Sequence, residues 1–310
     1  MTPSDPGAAY PRDLTGYGRS LPDPKWPGGA RLALNICLNV EGGGESSPLH
    51  GDPVSEGMLN DIGYPAVDGR AVLVESVFEY GSRRGAWRVL RLLRERGMTA
   101  SMFVVASGMA HTRELVAAMV EDGHEIVSHG WRWIDYHFVG EAEERAHIAK
   151  AAETIAEMTG RAPVGWMTGR PGINTRRLVA EHGGFLYDRD ALNDELPYWQ
   201  KVEGRDHLVI PYSYETNDNR FDGNVGFSTA DDYFSYMRDT FDMLYAESAD
   251  EPRMMSLGLH DRLIGRPGRA VGLARFLDYV ATHDEVWVAT GEEIARHWQA
   301  IHPPARASAS

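Results

Sequence analysis

The segment Arg31-Leu32-Ala33-Leu34-Asn35-Ile36-Cys37-Leu38-Asn39-Val40 decides how the chain is read. Leu32, Leu34, Ile36, Leu38 and Val40 recur at every second position, the period of a β-strand with two unlike faces. The opposite face carries Ala33, Asn35, Cys37 and Asn39, small and polar side chains that suit the tight interior of a barrel. The strand ends at Glu41, and Gly42-Gly43-Gly44-Glu45 follows.

Outward from this strand, elements alternate. A helix is predicted over 87–96, stopped at Gly97, then a strand over 99–105 and a helix over 112–122, closed by Gly123. Gly123-His124-Glu125-Ile126-Val127-Ser128-His129-Gly130 reads as a short buried strand ending in a histidine. His124 and His129 are an odd number of positions apart, so a regular strand points them to opposite faces. A helix over 141–159 and strands over 164–167 and 185–188 follow, with a helix capped by Asn174 between those strands. Then come a strand over 207–211, a helix over 229–247, a strand over 254–259 ending at His260, a helix over 268–282 and a strand over 285–289. Thr290-Gly291-Glu292-Glu293 is a capping-box signature for the last helix.

This alternation predicts an α/β fold, a distorted (β/α)7-8 parallel barrel filling one domain over 30–300, with a doubly wound open sheet as the fallback. Residues 1–29, with Pro3, Pro6, Pro11, Pro22, Pro24 and Pro27, read as an extended arm, disordered or wrapped around a neighbour. Residues 42–85 read as a long irregular loop insertion, and 301–310 as a loose tail.

The 310 residues are 43% hydrophobic and 25% charged, an ordinary globular balance, with a formal net charge of −14. No basic face argues for nucleic acid, and no apolar run approaches the roughly 20 residues of a membrane span. The first 29 residues lack a basic region followed by an apolar core, so the expectation is a cytoplasmic protein without a signal peptide. The single cysteine, Cys37, is expected to pack as a small apolar side chain. No G-x-G-x-x-G or G-x-x-x-x-G-K-[ST] motif follows a strand, and no G-x-S-x-G is present, so neither nucleotide binding nor a serine nucleophile has support.

Polar residues gather where strands end: Glu41, His129, Arg170, Asp188 and His260. In a parallel barrel these ends share the face that carries active sites. Glu41 and His260 form a carboxylate–imidazole pair suited to base and acid roles, with Arg170 placed to fix Glu41 or to bind a substrate carbonyl. A metal held by Glu41, His129 and His260, zinc for example, is the lesser alternative, since His129 has Trp133 rather than a histidine four positions on.

In order along the chain, these motifs resemble the polysaccharide deacetylase family, the NodB-homology fold. Asn39-Val40-Glu41-Gly42 stands where the family has Thr-Phe-Asp-Asp. His129-Gly130-Trp131-Arg132-Trp133 stands for its His-Ser/Thr-x-x-His. Gly169-Arg170-Pro171-Gly172, Tyr187-Asp188 through Trp199, and Leu257-Gly258-Leu259-His260 follow. In the family the second Asp and both His residues hold a divalent metal; here those positions are Gly42, His129 and Trp133. The pattern, above all His260-Asp261-Arg262-Leu263-Ile264-Gly265-Arg266-Pro267-Gly268, is similar to the family's metal-independent allantoinase branch.

That resemblance implies a hydrolase opening an allantoin- or hydantoin-type cyclic amide in purine catabolism, without a cofactor and as a homotetramer. Glu41 would be the general base and His260 the general acid, with His129 and Arg170 orienting a small ureide substrate. Asn39, Glu45, Trp133, Asp188 and Trp199 would line its pocket, although Glu45 reads equally as a solvated residue. A metal-dependent sugar or peptidoglycan N-deacetylase and a non-catalytic ligand-binding relative are the competing readings.

Overall fold

The computed structural model describes residues 12–222 and 226–305. Its centre is β1 (Leu32–Val40), all nine residues of which are buried. Along nearly its full length β1 pairs in parallel with β8 (Arg253–His260). Its other edge is shared: β9 (Val286–Val288) takes the first part and β2 (Ser101–Val104) the last. From β2 the parallel sheet continues through β3 (Glu125–Ser128), β4 (Gly165–Trp166), β5 (Tyr187–Asp188) and β7 (Arg205–Val209). The edge is β6 (Tyr198–Val202), antiparallel to β7 and not anticipated from the sequence.

The sheet curls into a partial barrel. The sheet does not close: β6 and β8 end it, and the segment after β7 reaches β8 through an isolated backbone bridge from Asn217 to Gly258 and through side-chain bonds such as Thr216 to the Ser256 carbonyl. Outside lie α1 (Val72–Tyr80), α2 (Ala86–Arg94), α3 (Ala106–Met109), α4 (Arg113–Glu121), α5 (Glu141–Thr159), α6 (Thr175–His182), α7 (Ala230–Glu247), α8 (Pro267–Val280) and α9 (Gly291–Ile301). Thr229 and Thr290 close capping boxes at the starts of α7 and α9. Asn174 precedes α6, but its side chain accepts from Arg177 instead of capping the helix amides.

The two faces of β1 divide as the alternation predicts. Leu32, Leu34, Ile36, Leu38 and Val40 pack in the main apolar cluster with Val89, Leu90 and Leu93 of α2 and Phe276 and Leu277 of α8. Truncating one of these leucines to alanine costs about 2–5 kcal/mol. The other face lines the barrel. Asn35 Nδ2 donates to Ser101 Oγ (3.2 Å) and the Ala289 carbonyl (2.7 Å). Cys37 packs with Phe103, Val127, Met167 and Tyr212, where burial pushes its thiol up to about 11. Its position as a packing residue, not a nucleophile, follows.

The irregular insertion is shorter than the sequence suggested. Helix begins at Val72, and a π-turn over Gly81–Gly85 joins α1 to α2 without interruption. Val72 and Leu73 are exposed, which obscures the helical period, and the two glycines look like breakers. They serve instead as contact points: a Cβ on Gly81 would overlap the Asp261 carboxylate, and one on Gly85 the Asp261 carbonyl.

The described part of the arm, residues 12–29, docks on its own chain. Trp26 is buried against Trp287 and Trp298 and donates from Nε1 to the Arg253 carbonyl at 3.0 Å. Tyr17 bonds the Pro197 carbonyl. The tail begins one residue later than expected, since Ile301 belongs to α9, and His302 is held by Asp23 and Trp199. Residues 1–11 of the arm and 306–310 of the tail lie outside the described residues. Among the described residues, no helix is long and apolar enough to cross a membrane.

Candidate active site

Three strand ends bring three side chains together. Glu41 follows β1, His129 follows β3 and His260 closes β8. Glu41 Oε1 lies 3.2 Å from His129 Nε2 and 3.6 Å from His260 Nε2. One carboxylate oxygen thus faces two imidazoles. The other oxygen, Oε2, accepts from Arg262 Nη1 at 2.5 Å.

Each imidazole is oriented from behind. His129 Nδ1 donates to the Met167 carbonyl at 2.7 Å, leaving Nε2 turned to Glu41. His260 Nδ1 meets Asp218 Oδ1 at 2.6 Å, and Asp218 Oδ2 accepts the backbone amides of His260 (2.7 Å) and Ile264 (3.0 Å). Asp218 sits at the start of a short 3-10 turn, Asp218–Phe221, and is completely buried.

Burial alone works to raise the Glu41 carboxyl. The Arg262 guanidinium, His260 and the His129 hydrogen bond outweigh it and hold the group well below the usual carboxylate range. Burial pulls His260 down, but Glu41 and Asp218 lift it above its ordinary value. The pair is therefore a standing carboxylate beside a proton-bearing imidazole, a base next to an acid.

The cluster is covered. Glu41 is 1% exposed and Arg262 0%. The loop before α1 lies over it, with the Leu59 carbonyl accepting from Arg262 Nε at 2.9 Å. Asp61 of the same loop pairs with Arg269 at 2.5 Å.

The remaining predicted site residues separate into two groups. Trp133, Arg170 and Glu45 stay near the cluster. Trp133 packs on Phe78, with the Arg170 guanidinium 4.0 Å and the Arg262 guanidinium 5.3 Å from its ring centroid. Arg170 does not fix Glu41: it bonds the Trp133 carbonyl and pairs with Glu56 at 3.1 Å. Glu45 is buried and accepts from the Gly43 amide at 2.6 Å, and burial raises its carboxyl.

Asn39, Asp188 and Trp199 are not brought into the cluster. Asn39 Nδ2 is occupied by Tyr212 Oη and the Leu259 carbonyl, tying β1 to β8 inside the barrel. Asp188 pairs with Arg176 (2.8 Å) and His207 (2.6 Å). Strand alternation explains this: Tyr187 and Arg189 point inward, to Glu125 and Ser256, so Asp188 faces out. Trp199 packs by α9 and the arm and donates to the His302 carbonyl. Sequence reasoning missed Arg262 and Asp218. Arg262 carried a signal, standing two positions after His260, whereas Asp218 lies in a polar stretch with no hydrophobic period.

The residues do not fit a divalent cation. At position 42 a Cβ would lie 2.9 Å from the Phe78 carbonyl oxygen, so α1 fills the space a carboxylate side chain needs. Trp133 offers no lone pair. Glu41 Oε2 already serves a guanidinium, whose charge repels a second cation. Among the described residues, no group of three or more His, Cys, Asp or Glu is placed to hold a metal ion.

The family described as polysaccharide deacetylase matches residues 67–183. A Schizosaccharomyces pombe protein named "Putative polysaccharide deacetylase" is 38% identical over 94% of this chain and 98% of its own length. The structure of a "probable Polysaccharide deacetylase" from Pseudomonas aeruginosa PAO1 is 51% identical, covering 95% of this chain and 99% of that one, with a TM-score of 0.93. That of Puue allantoinase is 50% identical, covering 96% and 100%, with a TM-score of 0.94.

Proposed function

The chain belongs to the polysaccharide deacetylase family, and from that premise we propose that it opens the ring of a small cyclic ureide of allantoin or hydantoin type, without a metal. The observation that carries this is the blocked position 42, beside a carboxylate already held by a guanidinium and two histidines. The half-identical allantoinase structure supports the same direction.

The chemistry runs on this chain's own groups. Glu41 takes a proton from water as the water oxygen adds to the ring carbonyl carbon. His260 Nε2 gives a proton to the ring nitrogen as the C–N bond breaks. Glu41 then holds one proton more and His260 one fewer, and the 3.6 Å between Oε1 and Nε2 lets the proton return. A nitrogen flanked by two carbonyls leaves more readily than an alkyl amine, so ring opening needs less Lewis-acid help than cleavage of an N-acetyl sugar. The burial of Glu41 and Arg262 supports a small substrate over a polymer.

The deacetylase names of two relatives favour a second reading, removal of acetyl groups from a sugar. Chelator-treated protein assayed on allantoin, hydantoin and an N-acetylated oligosaccharide separates them. Ring opening without added metal is expected. Acetate release from the oligosaccharide, restored by zinc, would overturn the proposal.

A further inference from the structure

The guanidinium of Arg262 has three polar edges, and two are used. Nε donates to the Leu59 carbonyl and Nη1 to Glu41. Its faces are covered, with the Phe78 ring centroid 4.3 Å from Cζ and that of Trp133 at 5.3 Å. Nη2 is buried and has no hydrogen-bond partner. Other arginine nitrogens of this chain, such as Nε of Arg189, are also buried without an acceptor, but Nη2 of Arg262 belongs to the guanidinium that holds Glu41. Nη2 shares its carbon with the nitrogen that touches the catalytic carboxylate, so it lies one guanidinium width from the reacting groups.

We propose that Arg262 is a catalytic residue whose Nη2 receives the carbonyl oxygen of a cyclic amide substrate and holds it as it becomes an oxyanion; this rests on the ring-opening reading above. As the water oxygen bonds the carbonyl carbon, the π electron pair moves onto that oxygen. A fixed, desolvated N–H then binds it more tightly than it binds the neutral carbonyl. When the C–N bond breaks, the pair returns to re-form C=O and the leaving nitrogen takes the His260 proton. One side chain thus sets the base and stabilises the charge that the base creates.

The test compares wild type with Arg262→Lys, which keeps the charge beside Glu41 and removes Nη2. With hydantoin as substrate, kcat falls about 10²–10³-fold while KM moves only a few-fold, the split of an interaction made in the transition state. Binding is read separately with pyrrolidin-2-one, an ordinary lactam that resists opening, by NMR titration. Its affinity drops a few-fold in the variant, the loss expected for a hydrogen bond to a neutral carbonyl. A kcat within threefold of wild type, or an unchanged lactam affinity, overturns the assignment. If wild type opens no hydantoin the ring-opening reading fails, and lactam binding alone decides the role of Arg262: no binding to wild type overturns it. If Arg262→Lys does not fold, Glu41→Gln is compared with Glu41→Gln/Arg262→Gln, whose neutral pair leaves no stranded charge. Equal lactam affinity in those two also overturns it.

Discussion

Glu41 and Arg262 stand 221 positions apart in the chain and meet at 2.5 Å, both fully enclosed. A buried ion pair of this kind is more dangerous to break than useful to make. Desolvation offsets most of the attraction, yet removing one partner strands the other. The pair therefore makes the fold sensitive to changes at either residue.

Glu41→Gln is expected to abolish turnover and also to destabilise the protein by about 3–5 kcal/mol, because Arg262 is left without a counter-charge. Glu41→Gln/Arg262→Gln should recover part of that loss and none of the activity. Urea unfolding of the three proteins supplies the comparison. A single variant as stable as wild type would mean that the pair is solvated in solution.

The rate should depend on pH through His260. Its folded value lies above the ordinary 6.5 because Glu41 and Asp218 outweigh the effect of burial. The alkaline limb therefore appears above 6.5, while Glu41 stays ionised across it. The linked stabilisation is fully present below the unfolded value and disappears as pH rises through the folded one. Asp218→Asn removes one raising charge, so the alkaline limb shifts to lower pH. An unmoved limb assigns the limb to another group.

Asp261 gives the fold a second pH dependence. Burial is the main cause that lifts its carboxyl to about 7, and Oδ2 has no partner. A carboxyl raised in the folded state favours folding at low pH, and that contribution is lost as pH climbs from its ordinary 3.8 to about 7. Asp261→Asn keeps the side-chain oxygen that accepts the Arg262 amide and cannot ionise. The stability of this variant relative to wild type should rise between pH 5 and pH 8 by about 2–3 kcal/mol, on the order of two pKa units of linkage. Thermal unfolding at the two pH values reads the difference, and a constant offset would refute it.

Gly42→Asp places a Cβ 2.9 Å from the Phe78 carbonyl oxygen. It should destabilise the protein by about 1–3 kcal/mol through overpacking. Combined with Trp133→His, it restores the residue types that hold metal in the family without restoring the room for them. Metal analysis after dialysis against zinc should find no stoichiometric zinc in the double variant. One bound zinc per chain would show that α1 yields more easily than its packing suggests.

What the sequence revealed was whatever repeats along an element. The alternation in β1 distinguishes the lumen face from the helix-covered face, and the strand ends point to Glu41, His129 and His260. Position at a strand end does not fix which way a side chain faces, and at Asp188 the neighbouring Arg189 is the inward residue. Asp218 was hidden because it comes from a short turn that approaches β8 across the gap in the sheet. Arg262 was visible only as part of a motif, since its contact with Glu41 depends on how the chain turns after β8. Helix α1 was hidden by exposed apolar residues and by glycines whose purpose is contact with Asp261.

The carbonyl oxygen of Phe78 beside Gly42 gives the site a direction in time. A side chain can be exchanged by one codon change, but a main-chain atom cannot. Seating a cation-binding carboxylate at position 42 requires the rod from Val72 to Arg94 to shift, π-turn included, with its packing on Asp261 undone. A larger side chain placed at position 42 before that shift meets the Phe78 carbonyl, so the order of the changes matters. Side chains around Glu41 can be exchanged one at a time far more easily than this chain can make room for a cation-binding carboxylate at position 42.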